Sequence, residues 1–237
     1  MMRLILIATL LISLGISTDA QDVYEFDRDR IPVMKDQKTK KYMFTSLTLN
    51  RWLDEPNNMI QRTYSPGFDF SLLWSTKNME KEHGNFSFHF AMGVGFSSFN
   101  LHNNGEFYNE IDAQTDEMTL KFRPYPDGYS YSRNNISMNY LEVPIEFVIE
   151  EKRSMPSIHI GAKFGYLLGM HSRLKDGTGK YKRYIFANTE WYRYGAYIRL
   201  FFKNIGIGAF YGMNSGLGDF PDMRPLSISI TLKIDNE

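Results

Sequence analysis

The sequence has no cysteine and no excess of charge of either sign. Without cysteine, the chain has no disulfide framework, no thiol nucleophile and no thiolate metal site. Its 27 Lys and Arg residues balance its 27 Asp and Glu residues, so it lacks the basic excess that nucleic-acid binding requires. Aromatic residues make up 15% of the chain, which argues against disorder and favours strands. We therefore expect a folded, strand-rich protein that does not bind nucleic acid.

Long apolar runs are also missing after residue 20, which excludes a membrane protein built from helices. The first 20 residues are different: Arg3 precedes a mostly apolar stretch at 4–16, and small residues Thr18 and Ala20 follow. This pattern predicts a secretory signal at 1–20, cleaved after Ala20. The alternative is an uncleaved anchor, but the apolar stretch is shorter than the ~20 residues that a spanning helix needs.

The rest of the chain alternates between apolar residues and polar or small ones, most clearly at 86–96, 158–170 and 226–234. Because residues i and i+2 share one face of a strand, each such segment has one apolar and one polar face. The pattern predicts eight strands, at about 41–52, 66–76, 85–99, 136–150, 156–171, 190–202, 205–213 and 224–234. Pro144 lies inside the fourth strand and predicts a bulge or a break in ladder pairing.

The connections between these strands alternate between long and short. In an antiparallel up-and-down arrangement, this places short turns at one end and long loops at the other, as in outer-membrane barrels. We therefore expect an all-β fold, an eight-stranded transmembrane barrel with short periplasmic turns, long extracellular loops and both termini on the periplasmic side. The short turn at Lys203-Asn204 would place Phe202 opposite Ile205.

Glycine positions indicate which face of the barrel is inside. Glycines fall repeatedly on the polar face of the predicted strands: Gly93, Gly95, Gly161, Gly165, Gly169, Gly195, Gly206, Gly208 and Gly212. The interior of an eight-stranded barrel is only just wide enough for side chains, so glycine there makes room for larger neighbours. This predicts that the apolar face points outward into lipid. A soluble, lipocalin-like barrel with the apolar face inward is the alternative.

A set of charged and polar residues falls on the predicted inward face: Glu142, Glu146, His159, Lys163, Arg193, Tyr197, Arg199 and Lys233. If the fourth connection is centred on Lys152-Arg153, Glu142 lies opposite Lys163 and Glu146 lies opposite His159. Such a network is either a proton or ion path or a plug of paired charges. Eight strands leave no aqueous channel, which favours the plug.

Catalytic motifs are not found: the sequence has no GxSxG, HExxH or phosphate-binding loop. His102 and His171 lie near the predicted outer rim, where a lipase or protease site would lie. Neither has a serine or aspartate at a sequence spacing that is typical of a catalytic site. Asp127-Gly128 and Asp176-Gly177 predict turns, because the flanking oxygen ligands of a calcium loop are missing. We expect no catalytic residue, no cofactor and no metal site.

The run Asn139–Phe147, with the sequence NYLEVPIEF, resembles the YLE[IV]P segment of PorT-like outer-membrane β-barrels of the Bacteroidota. Further segments occur in the order found in that family: GVGFSS at 93–98, GAKFGYL at 161–167, RYGAYIR at 193–199 and RPLSISI at 224–230. The resemblance covers about residues 41–237. It departs from the general barrel pattern at the C-terminus, which has no final aromatic residue, and it does not extend to residues 21–40.

This resemblance implies an integral outer-membrane protein that is inserted by the barrel-assembly machinery and contacts outer-membrane lipid and lipopolysaccharide. One class of members acts with the type IX secretion system and gliding, so envelope or secretion-system proteins are the implied partners. The expected organisation is a signal peptide at 1–20, an N-terminal periplasmic segment at 21–40 and the barrel at 41–237. Its role would be structural or interactive, through outer loops that hold Tyr108, Tyr125, Tyr129 and Tyr131. The alternatives are a rim-site hydrolase that acts on lipid or peptide and a small passive pore.

Overall fold

A computed structural model of the chain describes residues 40–75, 81–83, 86–111, 113, 116–151, 156–184 and 186–236. The predicted signal peptide and residues 21–39 lie outside this part of the chain. The described residues form strands β1 (Lys40–Leu53), β2 (Pro66–Ser75), β3 (Lys81–His83), β4 (Phe86–His102), β5 (Gly105–Ile111), β6 (Met118–Pro124), β7 (Tyr131–Glu151), β8 (Ser157–Asp176), β9 (Lys180–Arg183), β10 (Tyr192–Phe202), β11 (Ile205–Gly212) and β12 (Arg224–Asn236). Within these residues, no helix is both long enough and apolar enough to cross a membrane.

Eight of the strands close into an antiparallel barrel. The order around it is β1, β2, β4, β7, β8, β10, β11 and β12, and β12 pairs with β1 to complete the circle, with Leu47 opposite Ile230. The short strand β3 pairs with the beginning of β4, β9 pairs with the upper part of β8, and β5 pairs with β6 as a separate hairpin. The predicted eight-stranded up-and-down barrel is therefore confirmed.

The two ends of the barrel differ in their connections. We call the end with the connections at 76–85, 152–156 and 203–204 the lower end, and the end with those at 54–65, 103–130, 177–191 and 213–223 the upper end. The tight turn at the lower end has the predicted register, with Phe202 opposite Ile205. Lys203 adopts a φ of 58° in this turn, in the left-handed region that such tight turns require.

Several strands extend further at the upper end than the sequence predicted. β7 begins at Tyr131 and not at 136, and β8 continues to Asp176 and not only to 171. Their extensions carry polar residues on both faces, so apolar alternation could not reveal them. The predicted long loop at 100–135 is also corrected, because it contains the β5–β6 hairpin.

The predicted irregularity at Pro144 appears on one side of its strand only. Pro144 pairs with Lys163 of β8 without a shift in register. On the other side, the ladder between β4 and β7 skips Gly93 and Val94. Because proline has no backbone N–H to donate, a gap in the ladder at this position is expected. A register shift between β7 and β8 occurs instead at Asn139 and Tyr140.

The apolar face of the strands points away from the barrel axis. Leu47 is 72% exposed and Ile230 is 66% exposed, whereas Glu146 on the opposite face is only 1% exposed. Aromatic side chains concentrate at both margins of the apolar surface, with Tyr192 and Tyr194 above and Phe86 and Phe202 below. A continuous apolar surface of this kind, with aromatic margins, matches the lipid-facing band of a membrane barrel. The structure therefore confirms the predicted orientation of the two faces. Gly169 is the exception: it lies at the register shift between β7 and β8, and an added Cβ there would meet no atom within 4 Å, so this glycine does not make room for an interior side chain.

Glycines on the inward face allow the large interior side chains to fit. An added Cβ at Gly161 would lie 2.3 Å from the backbone oxygen of Ile145 and 2.9 Å from Cβ of Glu146. At Gly195, it would lie 2.2 Å from the backbone oxygen of Tyr211 and 2.8 Å from the ring of Phe210. Any larger residue at these two positions would displace the backbone or a neighbouring side chain.

Two apolar clusters lie in the interior at different heights. The lower cluster consists of Tyr42, Phe44, Leu73, Ala91, Val148 and Phe201. The upper cluster consists of Trp52, Met59, Phe99, Leu101, Phe107, Leu120, Ile136, Met138, Tyr140, Leu167, Met170, Phe186, Ala187, Leu217 and Met223. Several members of the upper cluster come from connections and from the β5–β6 hairpin, so the upper end is covered by chain.

The outward orientation of Ile160 predicts the effect of a charge there. Ile160→Arg should lower the free energy of unfolding in lipid vesicles by about 2–4 kcal/mol, because a charged side chain would face hydrocarbon. Ile60→Arg is the matched control, since Ile60 is exposed in the upper connection at 54–65 and should tolerate arginine. Urea unfolding of both variants measures the difference. Equal stabilities would mean that water and not lipid surrounds Ile160.

Candidate functional site

Most charged residues of the interior form one connected set, which we call the lumen network. At its lower part, Glu146 accepts hydrogen bonds from His159 Nδ1 and from the Tyr197 hydroxyl, both at 2.8 Å. Arg199 Nη1 lies 3.5 Å from the same carboxylate, and Arg199 Nη2 lies 3.8 Å from Asp69 Oδ1. Arg199 therefore links the two carboxylates.

The upper part of the lumen network continues from Asp69. Lys163 Nζ donates to Asp69 and lies 3.3 Å from Glu142 Oε2. Arg193 pairs with the other oxygen of Glu142 and donates to Ser97 Oγ at 2.6 Å. Each cation thus has at least one carboxylate partner, which offsets the cost of burying its charge.

Aromatic rings enclose the lumen network from both sides. The guanidinium of Arg193 lies 4.1 Å from the ring centre of Tyr140, in the upper cluster. That of Arg199 lies 4.7 Å from the ring centre of Phe44, in the lower cluster. Both cations make favourable contacts with ring faces in addition to their ion pairs. The network therefore lies between two apolar layers.

Seven of the eight predicted interior residues belong to this network, and Lys233 lies nearer the lower end. Lys233 Nζ is 3.3 Å from Glu150 Oε1, and Lys40 Nζ is 3.4 Å from the other oxygen of that carboxylate. Glu150 was not among the predicted interior residues. Glu150 has the same parity as Glu142 and Glu146 in the predicted strand 136–150, so strict alternation would have placed it on the inward face.

The predicted direct oppositions were wrong by two residues. Glu142 lies opposite Gly165 and Glu146 lies opposite Gly161. The cause is the register near the lower end, where Ile149 pairs with Ile158, so the connection is not centred on Lys152-Arg153. Those two residues themselves lie outside the described part of the chain. The expected partners still meet, because the long side chains reach diagonally across the ladder.

Asp69 joins the two parts of the network, and the sequence reasoning missed it. The signal was present, since Asp69 lies between Phe68 and Phe70 and therefore falls on the inward face of β2 by parity. Alternation in this strand is poor because Leu73, also inward, belongs to the lower cluster. A strict application of parity would have found this carboxylate.

Solvent accessibility shows that the interior is closed at the level of the network. His159 and Val148 are 0% exposed, and Phe201 and Ser71 are 1% exposed. A cavity of about 30 Å³ lies beside the network, between Ser46, Thr48 and Asp69 among other residues. This space is about that of a single water molecule in the liquid, so it does not amount to a channel.

The upper end is covered by a structure that we call the cap, formed by the β5–β6 hairpin and the connections at 54–65, 177–191 and 213–223. The hairpin inserts Phe107 into the upper cluster, where its ring centre lies 6.0 Å from that of Trp52. The backbone N–H of Leu120 donates to Asp219 Oδ2 at 2.5 Å, and Arg183 donates to the carbonyl of Phe107 at 2.8 Å. These contacts fix the hairpin to other parts of the cap.

A cleft of about 500 Å³ opens at the cap, between the connection at 103–130 and the upper parts of β7, β8 and β9. Its lining includes Glu106, Tyr125, Tyr129, Tyr181, Lys182 and Arg183. Two predicted loop tyrosines, Tyr125 and Tyr129, pack together here with ring centres 4.7 Å apart, and Tyr131 lies beside them at 5.6 Å from Tyr125. The fourth, Tyr108, contacts Arg123 instead.

Hydrogen bonds at the rim of this cleft shift two pKa values. The carboxylate of Asp176 accepts bonds from the Thr178 hydroxyl and the Tyr129 hydroxyl, and together they lower its pKa. The same contact, at 2.5 Å, raises the pKa of Tyr129 to about 12, because Tyr129 donates to a negative charge. At neutral pH, Asp176 is therefore ionised and Tyr129 is protonated, and the bond between them orders the rim.

The rim histidines do not form a catalytic arrangement in the described residues. Burial, followed by the charges of Arg133 and Arg62, lowers the pKa of His102. Burial, followed by the charges of Arg173 and Lys182, lowers that of His171. Nε2 of His171 has no hydrogen-bond partner in the described part of the chain. Across the same residues, no group of three or more His, Asp or Glu side chains is placed to hold a metal ion.

The sequence profile of the outer membrane protein beta-barrel domain family matches residues 51–220. The chain belongs to this family. The match includes every residue of the lumen network and extends through most of the cap. This outer-membrane barrel is therefore an integral protein of the outer membrane.

Among solved structures, the barrel is similar to the crystal structure of Ail, the attachment invasion locus protein of Yersinia pestis, in complex with the heparin analogue sucrose octasulfate. The identity is 14% and the TM-score is 0.33, and the alignment covers 84% of this chain and 100% of that chain. A comparison with curated protein sequences gave no match.

The lumen network predicts a large cost for losing one carboxylate. Glu142→Ala should destabilise the barrel by about 3–5 kcal/mol, because it leaves Lys163 and Arg193 short of a partner in the interior. Glu55→Ala is the control: it removes an ion pair with Arg51 at 3.4 Å near the surface, which should be worth about 0–1 kcal/mol. Urea unfolding in lipid vesicles measures both. A Glu142→Ala barrel as stable as the parent would contradict the pairing.

Proposed function

We propose that this protein is a non-catalytic outer-membrane barrel with a structural plug in its lumen and an interaction surface on its cap. The observation that carries the proposal is the contrast between the two regions. The lumen is filled by paired charges and apolar clusters, whereas the cap presents an open cleft lined by tyrosines and charges of both signs. Binding residues tend to concentrate on loops that a rigid scaffold holds in place.

The plug interpretation is supported by the layers above and below the network. A proton or ion path would need a continuous polar route between the two ends. Here Phe44 and Phe201 lie on the lower side of the network, and Tyr140 and Phe99 lie on its upper side. The charges therefore stabilise the packed interior, and the same closure argues against a passive pore.

The cleft on the cap suits a polar or mixed partner. Its size falls within the range of about 300–1,000 Å³ that is usual for ligand sites. Tyr125 and Tyr181 offer flat apolar surface together with hydroxyl groups, and Arg183 and Glu106 offer charges of opposite sign. Aromatic and arginine residues are enriched where proteins bind each other. We infer that an envelope or secretion-system protein binds here.

Within the family, we propose that the barrel is PorT-like. The YLEVP run lies in β7, and its Tyr140 and Glu142, together with the following Glu146, point into the lumen, so the resemblance coincides with the plug. In this proposal, the signal is cleaved near Ala20, the barrel-assembly machinery inserts the chain, and residues 21–40 remain in the periplasm. The upper end is then extracellular, and a type IX-like secretion or envelope-assembly role is the functional context.

Site-specific crosslinking tests the interaction surface. A photoreactive phenylalanine analogue in place of Tyr125 should form a discrete crosslinked product with another envelope protein in intact cells. The same analogue in place of Ile228, which faces lipid, serves as control and should give no such product. Identical products from both positions, or none from the cleft, would contradict the proposal.

Single-channel recording tests the plug. The refolded barrel should show no conductance steps in planar bilayers, because the interior is closed by residues with almost no exposure.

A screen of the same preparation against ester lipids and peptides should show no hydrolysis. Regular conductance steps would favour the pore, and turnover that is lost in His102→Ala or His171→Ala would favour a rim-site enzyme.

A further inference from the structure

The outward surface of the barrel wall changes character at the register shift between β7 and β8. Below Asn139 and Tyr140, the exposed outward residues are apolar, among them Leu141 and Leu168. Above the shift, the exposed outward residues are basic, among them Arg133 and Arg173. The lipid-facing band therefore gives way to a charged surface on the same wall.

These basic residues lie directly opposite one another, and we call the set Arg133, Arg173, Lys175, Lys180 and Lys182 the basic ladder. Arg133 lies opposite Lys175, which lies opposite Lys180 on its other side. In the next outward row, Arg173 lies opposite Lys182. Like charges directly opposed across a sheet destabilise it. Repulsion among these cations therefore destabilises the fold at this patch, although the chain as a whole has no net charge.

Neighbouring carboxylates do not relieve this repulsion. Within the described residues, none of the five side chains forms an ion pair with an acid. The adjacent Asp176 already accepts bonds from Tyr129 and Thr178. Lys182 instead lies 4.4 Å from the ring centre of Tyr184. The charges of Arg173 and Lys182 are also felt at His171, whose pKa they help to lower. The cations of the basic ladder are therefore available to bind an anion from outside the chain.

The height of the basic ladder indicates which anion this is. Arg173 is five residues beyond Leu168 along β8, or roughly 12 Å above it for a strand with a rise of ~3.3 Å per residue and a tilt of ~40°. Leu168 is 56% exposed in the lipid-facing band, and stacked Tyr166 and Trp191 mark the membrane interface beside it. The ladder thus lies at the depth of lipid headgroups. A surface groove of about 630 Å³ follows its side chains.

We propose that the basic ladder binds the phosphate groups of outer-leaflet lipid headgroups, which in this membrane belong to lipid A. The inference rests on the proposed extracellular placement of the upper end. Arginine pairs with phosphate through two parallel hydrogen bonds, and lysine adds charge on a flexible stem that reaches along the surface. A bound diphosphorylated headgroup places negative charge between the cations and so reduces the repulsion among them.

Titration with defined lipids tests the site. The purified mature barrel in detergent is titrated with diphosphorylated lipid A and with the same lipid A after phosphatase treatment, and binding is followed by native mass spectrometry. The parent should bind the phosphorylated form about tenfold more tightly or better, since cations near an anionic surface each contribute several-fold. Equal binding of the two forms would overturn the proposal. So would displacement by inorganic phosphate at an equal phosphate concentration, because the occupant would not be a lipid.

Two triple variants separate the site from general charge. The combination Arg173→Gln, Lys175→Gln and Lys182→Gln should abolish the preference for phosphorylated lipid A. In detergent alone, it should be no less stable than the parent, because it removes repulsion. The control combination Arg51→Gln, Lys121→Gln and Arg123→Gln removes three cations from the same end and should keep the preference. Equal loss in both variants would overturn the assignment to the ladder.

Surface labelling tests the placement separately. The chain has no cysteine, so Ser132→Cys, beside Arg133, introduces a unique thiol. A membrane-impermeant maleimide should label it in intact cells. Failure to label, together with normal lipid A binding in detergent, would overturn the proposed orientation. Normal labelling without phosphate-dependent binding would overturn only the lipid site.

Discussion

Closing a sheet of eight strands creates an interior that is only just wide enough for side chains. The outside of the same sheet faces hydrocarbon, which tolerates few charges. Each strand must therefore separate its residues by parity, with apolar groups outward and small or paired polar groups inward. Because the volume is limited, residue 161 is a glycine where Glu146 lies close by. For the same reason, the buried carboxylate of Asp69 is paired with a neighbouring cation, Lys163. The lumen network is the solution this chain uses to fill its interior.

Because side chains fill the narrow interior, the surfaces available for binding lie outside the lumen. Because His159 and Val148 are inaccessible to solvent, the interior of the described barrel is closed at the level of the lumen network, which supports the proposed structural plug. The strands β7 and β8 continue above the lipid-facing band and, together with the β5–β6 hairpin, support a cap with its own apolar cluster. Surfaces that can meet a partner are therefore the cleft on the cap and the charged wall beside it.

Sequence reasoning succeeded where one physical rule acted alone. Alternation gave all eight barrel strands, and turn geometry gave the pairing of Phe202 with Ile205. It failed where two rules compete. The register of Glu142 depends on the exact centre of a connection, which alternation does not fix, and the diagonal contact with Lys163 depends on side-chain length. The β5–β6 hairpin was missed because its stability comes from packing of Phe107 and Leu120 against distant residues.

The lumen network also bears on how the barrel assembles. Asp69 belongs to the second barrel strand, whereas its partners Lys163 and Arg199 come from β8 and β10, in the later half of the chain. A partly inserted sheet would hold an unmatched carboxylate on one side and unmatched cations on the other, both facing a low-dielectric surrounding. These ion pairs form only when the early and late strands lie in the same barrel, so they favour the closed barrel over an incomplete sheet.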